Sequence, residues 1–348
     1  MRIFSYRNKR TLRRIALIAL LAVVLLGLLI LARISYLGRY VVYSPNGVYF
    51  DKTQKLQRTP QTPEAPADAE DYPFETILSA AAEETDVDPN AVQLQGFYIS
   101  TTMLANSVDE VRQALADADG YNAVLIDVKS PLGNFYYSTD IADAQTADAD
   151  IAACDALIKE LTETPDLIVI ARVPAFSDPN FVAKHYSSAL TTTSGDLWMD
   201  ERRCYWLRPD SLDAHSYLAA IALELDARGF DEVLFDNFTV PDDSTIAWDA
   251  EAITQVAALE DCAETLGANL TGSSIRLALG TTGPSVAQYA SRVYITTEKA
   301  NDVMTMTEAM GEVLPDPATQ LVFVTTSHDT RFDAAGVIRP LMGDDSGD

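Results

Sequence analysis

Gly229-Phe230-Asp231-Glu232-Val233-Leu234-Phe235-Asp236 reads as a helix stop, a short apolar strand and a carboxylate where that strand runs out. Side chains alternate across a strand, so Glu232, Leu234 and Asp236 share one side. If the strand belongs to an α/β barrel, Asp236 stands at its C-terminal end, the face that carries the chemistry in such barrels. Glu232 then lies near the opposite end and reads as a structural residue. The competing role for Asp236 is to cap the following loop, a task that Asp242 and Asp243 could share.

Similar apolar runs recur along the chain. Strands are predicted over Val92–Ser100, Ala123–Lys129, Leu167–Pro174, Glu232–Phe238, Ser274–Gly280, Ser291–Thr297 and Leu321–Ser327. Helical periodicity fills most gaps, over Val108–Ala118, Asp148–Thr162, Asp213–Arg228, Asp249–Leu266 and Asn301–Val313. A β-then-α rhythm implies a parallel sheet wrapped by helices. A closed barrel needs an eighth strand, which is either short, near Val337–Met342, or missing. A doubly wound open sheet is the alternative. It would want a glycine-rich phosphate loop after an early strand, and Thr101-Thr102-Met103-Leu104 is not one, which argues against a nucleotide cofactor.

Other strand ends add candidates. Asp127 and Lys129 project to one side, two residues apart, and would keep each other charged, either to hold a substrate hydroxyl and orient Asp236 or as a structural ion pair. Arg172 ends the third strand, where a guanidinium would keep a neighbouring Asp236 ionised or close the barrel by a salt bridge. Tyr98, Tyr136, Tyr137, Trp198, Tyr205, Trp206 and Phe238 cluster near these ends. Flat faces of this kind suit sugar rings, although most aromatics are core. His185, His215 and His328 have no metal or triad spacing, and Ser100 and Ser327 lack a nucleophile elbow. Cys154, Cys204 and Cys262 are too few and scattered for a disulfide framework or a metal cage, so no metal site and no cofactor is expected.

The N-terminus has its own logic. Ile15 to Ala32 runs 18 residues without a charge, about 27 Å as a helix, close to the hydrocarbon thickness of a bilayer. Arg2, Arg7, Lys9, Arg10, Arg13 and Arg14 precede it, which places the N-terminus in the cytoplasm. A cleaved signal peptide is the rival, but Leu31-Ala32-Arg33-Ile34 offers no small-x-small site. The chain's net charge is −26, and since residues 1–39 hold eight Lys or Arg and no Asp or Glu, the rest carries −34. So acidic a surface disfavours nucleic acid and anionic lipid. Tyr40–Tyr43 and Val48–Phe50 flank Ser44-Pro45-Asn46-Gly47, a hairpin signal. Arg58–Ala69 is Pro- and acid-rich, as tethers are, and a short helix is predicted around Phe74–Glu84. The expected organisation is a cytoplasmic basic segment (1–14), a transmembrane anchor (15–32), a hairpin and linker (33–70) and a barrel domain (71–348) at the outer face of the cell membrane.

Three blocks make the chain recognisable. Asn122-Ala123-Val124-Leu125-Ile126-Asp127-Val128-Lys129 with Gly133 and Tyr136 is the first. Ile170-Ala171-Arg172-Val173 with Phe176, Asp178 and Pro179 is the second. Gly195, Trp198, Asp200, Trp206 and Pro209 lead into Gly229–Pro241, the third. In order and spacing, over roughly residues 94–241, they resemble the bacterial putative glycoside hydrolase domain family, relatives of the α-amylase-like barrels. The resemblance implies a TIM-type (β/α)8 barrel with Asp236 as nucleophile. That family usually follows the Asp with Tyr-Ile-Arg-Phe-Pro, whereas this chain has Asn237-Phe238-Thr239-Val240-Pro241. A chitinase-like site would want Asp at 234 and Glu at 238, and Leu234 and Phe238 stand there.

The expected activity is hydrolysis of an envelope or environmental polysaccharide by two carboxylates. Asp236 would act at the anomeric carbon, with Asp127 or Glu298 as proton donor. Lys129, Arg172, Tyr98, Trp198, Trp206 and Phe238 would bind the substrate. The alternative is a barrel that has lost catalysis and binds glycan or an envelope partner.

Overall fold

The structure, a computed structural model, describes residues 41–44, 47–50 and 92–342. Val41–Ser44 and Gly47–Phe50 pair antiparallel, Val41 with Phe50 and Ser44 with Gly47, as the hairpin signal predicts. Hairpin and barrel fall in separate compact units. The expected anchor, the tether and the helix around Phe74–Glu84 lie outside the described residues. Among the described residues no helix is long and apolar enough to cross a membrane.

Eight strands form a closed parallel barrel: β1 (Gln95–Ile99), β2 (Ala123–Asp127), β3 (Ile168–Pro174), β4 (Glu232–Asp236), β5 (Arg276–Leu279), β6 (Arg292–Thr296), β7 (Leu321–Val324) and β8 (Gly336–Pro340). The barrel is therefore complete at its C-terminal end: of the two alternatives for the eighth strand, the short one near Val337–Met342 is present, as Gly336–Pro340, and the missing one is corrected. In β8, Val337 pairs with Phe323 of β7 and Ile338 with Gly96 of β1, so neither neighbour is left with an open edge.

The strands are apolar nearly throughout because both sides are covered. In β4, Leu234 points into the barrel with Leu125, Ile170, Ala278 and Tyr294. Val233 and Phe235 point outward to the helix layer. That layer contains α1 (Val108–Asp117), α2 (Ile151–Thr162), α3 (Leu212–Ala227), α4 (Gln255–Asn269) and α5 (Asp302–Met310). The first four start on Ser107, Asp150, Ser211 and Thr254, each accepting a backbone N–H three residues on. α4 begins later than its periodicity predicts, because Asp249 accepts from Glu251 and Ala252 in a separate turn before the Thr254 cap. The helix stop is as read. Gly229 has φ 87°, Gly229 N–H donates to Asp226 O and Phe230 N–H to Leu225 O, closing α3 and aiming the chain into β4.

Glu232 is fully buried at the N-terminal end of β4. It accepts from Arg292 Nη1 at 2.9 Å and from the Tyr294 hydroxyl at 2.5 Å, with Arg276 Nε 3.6 Å away. Arg292, equally buried, also donates to the carbonyls of Thr319 and Val92. The acid at the far end of the strand is the structural residue its position implies.

Candidate functional site

The C-terminal strand ends surround a cleft of about 520 Å³. Asp127 of β2, Arg172 of β3, Asp236 of β4 and Glu298 just past β6 line it, with Tyr98 of β1 and Thr325 and Thr326 past β7. All three carboxylates expected to take part in chemistry thus share one cleft.

Asp236 is half-buried, and its Oδ1 accepts the Asn237 N–H at 2.9 Å. The carboxylate lies against Gly280 at the end of β5, where a Cβ would fall 2.5 Å from that oxygen and 3.0 Å from the Asp236 Cα. Only glycine leaves the carboxylate this position. Burial raises the Asp236 pKa. Arg172 and the Asn237 N–H pull it down, the Asp127 charge adds to the rise, and the balance is upward. This carboxyl holds its proton to higher pH than an exposed aspartate does.

Arg172 was expected either to favour the ionised form of Asp236 or to close the barrel by a salt bridge. It pulls the Asp236 pKa down, and its fork makes the salt bridge to Asp127 on the neighbouring strand, Nε to Oδ1 at 2.5 Å and Nη2 to Oδ2 at 2.8 Å, with the guanidinium 5.4 Å from the Tyr98 ring centre. Burial opposes the Arg172 charge, and the Asp127 carboxylate outweighs it. Both Asp127 oxygens accept from Arg172, which fixes this carboxylate in the cleft wall.

Lys129 is corrected. It does not pair with Asp127, although it belongs to the cleft lining. Its Nζ lies 2.9 Å from Asp178 Oδ2 with both side chains 1% exposed. Asp178 further accepts from the Tyr217 hydroxyl and the Phe181 N–H. Strand alternation misled because β2 ends at Asp127 and Lys129 already bridges to Phe135.

Glu298 is exposed at the cleft mouth. Burial would raise its pKa, but the N–H and hydroxyl of Thr326 and the hydroxyl of Thr325 all donate to it, at 2.9, 2.8 and 3.2 Å, and the balance is downward. A carboxylate so held stays ionised to lower pH than a free glutamate does.

Residues 96–299 match the family described as "Putative glycosyl hydrolase domain". The chain belongs to this family. Solved structures similar to it include a hypothetical protein from Ruminiclostridium thermocellum, 23% identical over 52% of this chain and 96% of that one, TM-score 0.46. Ega3 of Aspergillus fumigatus, in complex with galactosamine, is 13% identical over 72% of this chain and 92% of that one, TM-score 0.45. The glycoside hydrolase domain of PelA from Pseudomonas aeruginosa is 13% identical over 72% and 95%, TM-score 0.45. No curated protein sequence matches the chain.

In this member of the glycosyl hydrolase domain family three expected sugar platforms are core residues. Phe238 is fully buried against Phe176, ring centres 5.0 Å apart. Trp198 and Trp206 pack edge to face and are 7% and 9% exposed. Their indole N–H groups donate to Asp243 and Asp200, and neither ring lines the cleft. An aromatic side chain advertises area to bury but not the direction it faces. Asn237 has φ 52°, a left-handed conformation that Asn adopts more readily than Tyr. The sequence reading missed Arg202, Ser100, Thr101, Thr102, Thr325 and Thr326, which also line the cleft. Thr325 and Thr326 were findable, since they follow directly on β7. Arg202, in a long loop, had no such signal.

Proposed function

We propose that this domain hydrolyses a glycosidic bond in an envelope or environmental polysaccharide, with Asp236 as proton donor and Glu298 as the ionised partner. One observation carries the reading: two carboxylates from different strand ends share a cleft, and their environments push their protonation in opposite directions. Asp236 would protonate the leaving oxygen. Glu298 would take a proton from the attacking water or attack the anomeric carbon itself. Carboxyl groups about 5–5.5 Å apart suit attack, and about 6.5–9.5 Å suit water activation. Asp127, fixed by Arg172, would orient a sugar hydroxyl.

The pH–rate profile tests the roles. Asp236 must be protonated, so activity falls as pH rises through a pKa above the usual aspartate value. Glu298 must be ionised, so activity falls as pH drops through a pKa below the usual glutamate value. A bell on the acidic side is expected, and Glu298→Gln should depress activity across the whole profile. Activity that climbs steadily as pH rises through the Asp236 titration would instead make Asp236 the ionised nucleophile.

A second reading, a glycan-binding barrel without catalysis, is favoured by Asn237 and Thr239 at the positions where the resemblance implies Tyr and Arg. It predicts that wild-type protein binds glycan with no turnover and that Asp236→Asn binds as well.

The domain is placed outside the cytoplasmic membrane, held by residues 15–32. Support comes from the basic residues before that run and the −34 charge beyond residue 39. Protease added to intact spheroplasts is expected to digest the barrel domain. Full protection, with digestion only after lysis, would overturn this placement.

A further inference from the structure

We infer that Arg202 makes the cleft select a glycan bearing an anionic group, a uronate carboxylate or a sulfate or phosphate ester. The inference deepens the proposed function and rests on its placement of the glycan in this cleft.

Three cations line the cleft. Lys129 is paired with Asp178 and Arg172 with Asp127, whereas Arg202 makes no ion pair among the described residues. Its position is also built. Met199 bridges Tyr205, Asp200 N–H donates to Cys204 O, and Arg203 N–H donates back to Asp200 O, so residues 200–203 form the tip of a hairpin. The Asp200 carboxylate ties that tip down by accepting the Cys204 N–H at 2.8 Å and the Trp206 indole N–H at 2.9 Å. Trp198, on the other limb, donates to Asp243. Arg203 turns the chain at φ 62°. The two tryptophans expected to stack on sugar thus hold the hairpin that presents Arg202.

A guanidinium matches the fork of a carboxylate, sulfate or phosphate and gains little from a neutral hydroxyl. The chain's net negative charge opposes an anionic glycan at long range. At physiological ionic strength charges are screened over about 8 Å, so the local guanidinium decides.

The test is binding to a panel in which each oligosaccharide backbone is present in neutral, uronate and sulfated forms, read on the full chain carrying Asp236→Asn so that nothing is turned over. Charged members are expected to bind about tenfold to a hundredfold more tightly than their neutral counterparts. Arg202→Ala should bring that ratio close to one, Arg202→Lys should retain part of it, and Arg203→Ala should keep it. The uronate and sulfated arms separate a carboxylate from an ester as the source of charge, and a phosphorylated form of the same backbone separates the two esters. A preference for neutral members, binding to none, or a preference that survives Arg202→Ala overturns the inference. Hydrolysis of neutral glycans with no charge preference sinks it while leaving the proposed function standing. A charge preference lost with Arg202 stands even if wild-type protein proves inactive.

Discussion

Asp236→Asn is expected to cut glycan hydrolysis by a factor of about 10² to 10⁴, the usual worth of a positioned proton donor. The amide has the shape of the carboxylate. It can still accept the Asn237 N–H and fits against the bare face of Gly280, so the substitution removes the proton without rebuilding the site. Thermal unfolding should therefore match wild type while reducing-sugar release falls. The loss should be largest for substrates with a poor leaving group, because those most need protonation. If Asp236→Asn hydrolyses at the wild-type rate, or if wild type shows no turnover on any glycan it binds, the two-carboxylate mechanism is wrong and the binding barrel takes its place.

Glu232→Gln should have the largest effect on stability, about 3–5 kcal/mol in urea unfolding, the cost of leaving a buried charge without its counter-ion. Glu232 and Arg292 are both fully buried, and Arg276 relies on the same carboxylate. Removing the negative charge leaves two guanidinium groups without their shared counter-ion at the N-terminal end of β4. Stability of a domain is only about 5–15 kcal/mol in all, so the variant should be marginal at growth temperature. Glu232→Leu combined with Arg292→Met should recover much of the loss, because it removes both desolvated charges at once. A single-variant cost below about 1 kcal/mol would show that Arg292 is adequately held by the Thr319 and Val92 carbonyls.

Much of the architecture is legible in the residues because strand and helix patterns are local. The apolar run Glu232–Asp236, the Gly229 stop and the alternating helices predict seven of the eight strands. β8 was left open, as a short strand near Val337–Met342 or none, for Gly336-Val337-Ile338-Arg339-Pro340 carries two β-branched residues and ends in proline. It is a strand because β7 and β1 both present unpaired backbone to it, which no local pattern records.

The site divides in the same way. Asp127, Arg172, Asp236, Glu298 and Tyr98 were found because each ends or follows a strand, and the ends of parallel strands converge on one face. Their partners were not found. Lys129 looked bound to Asp127 two residues away, yet its partner is Asp178, and Arg172 makes its salt bridge with Asp127. Sequence by itself determined which elements form and which residues stand at their ends, because those depend on periods of two and 3.6 residues along the chain. Only the tertiary structure decided which charges pair, which carboxyl is pushed up in pKa and which aromatics are buried. Coulomb energy and desolvation depend on distance and burial in space, and neighbours along the chain are often not the nearest ones there.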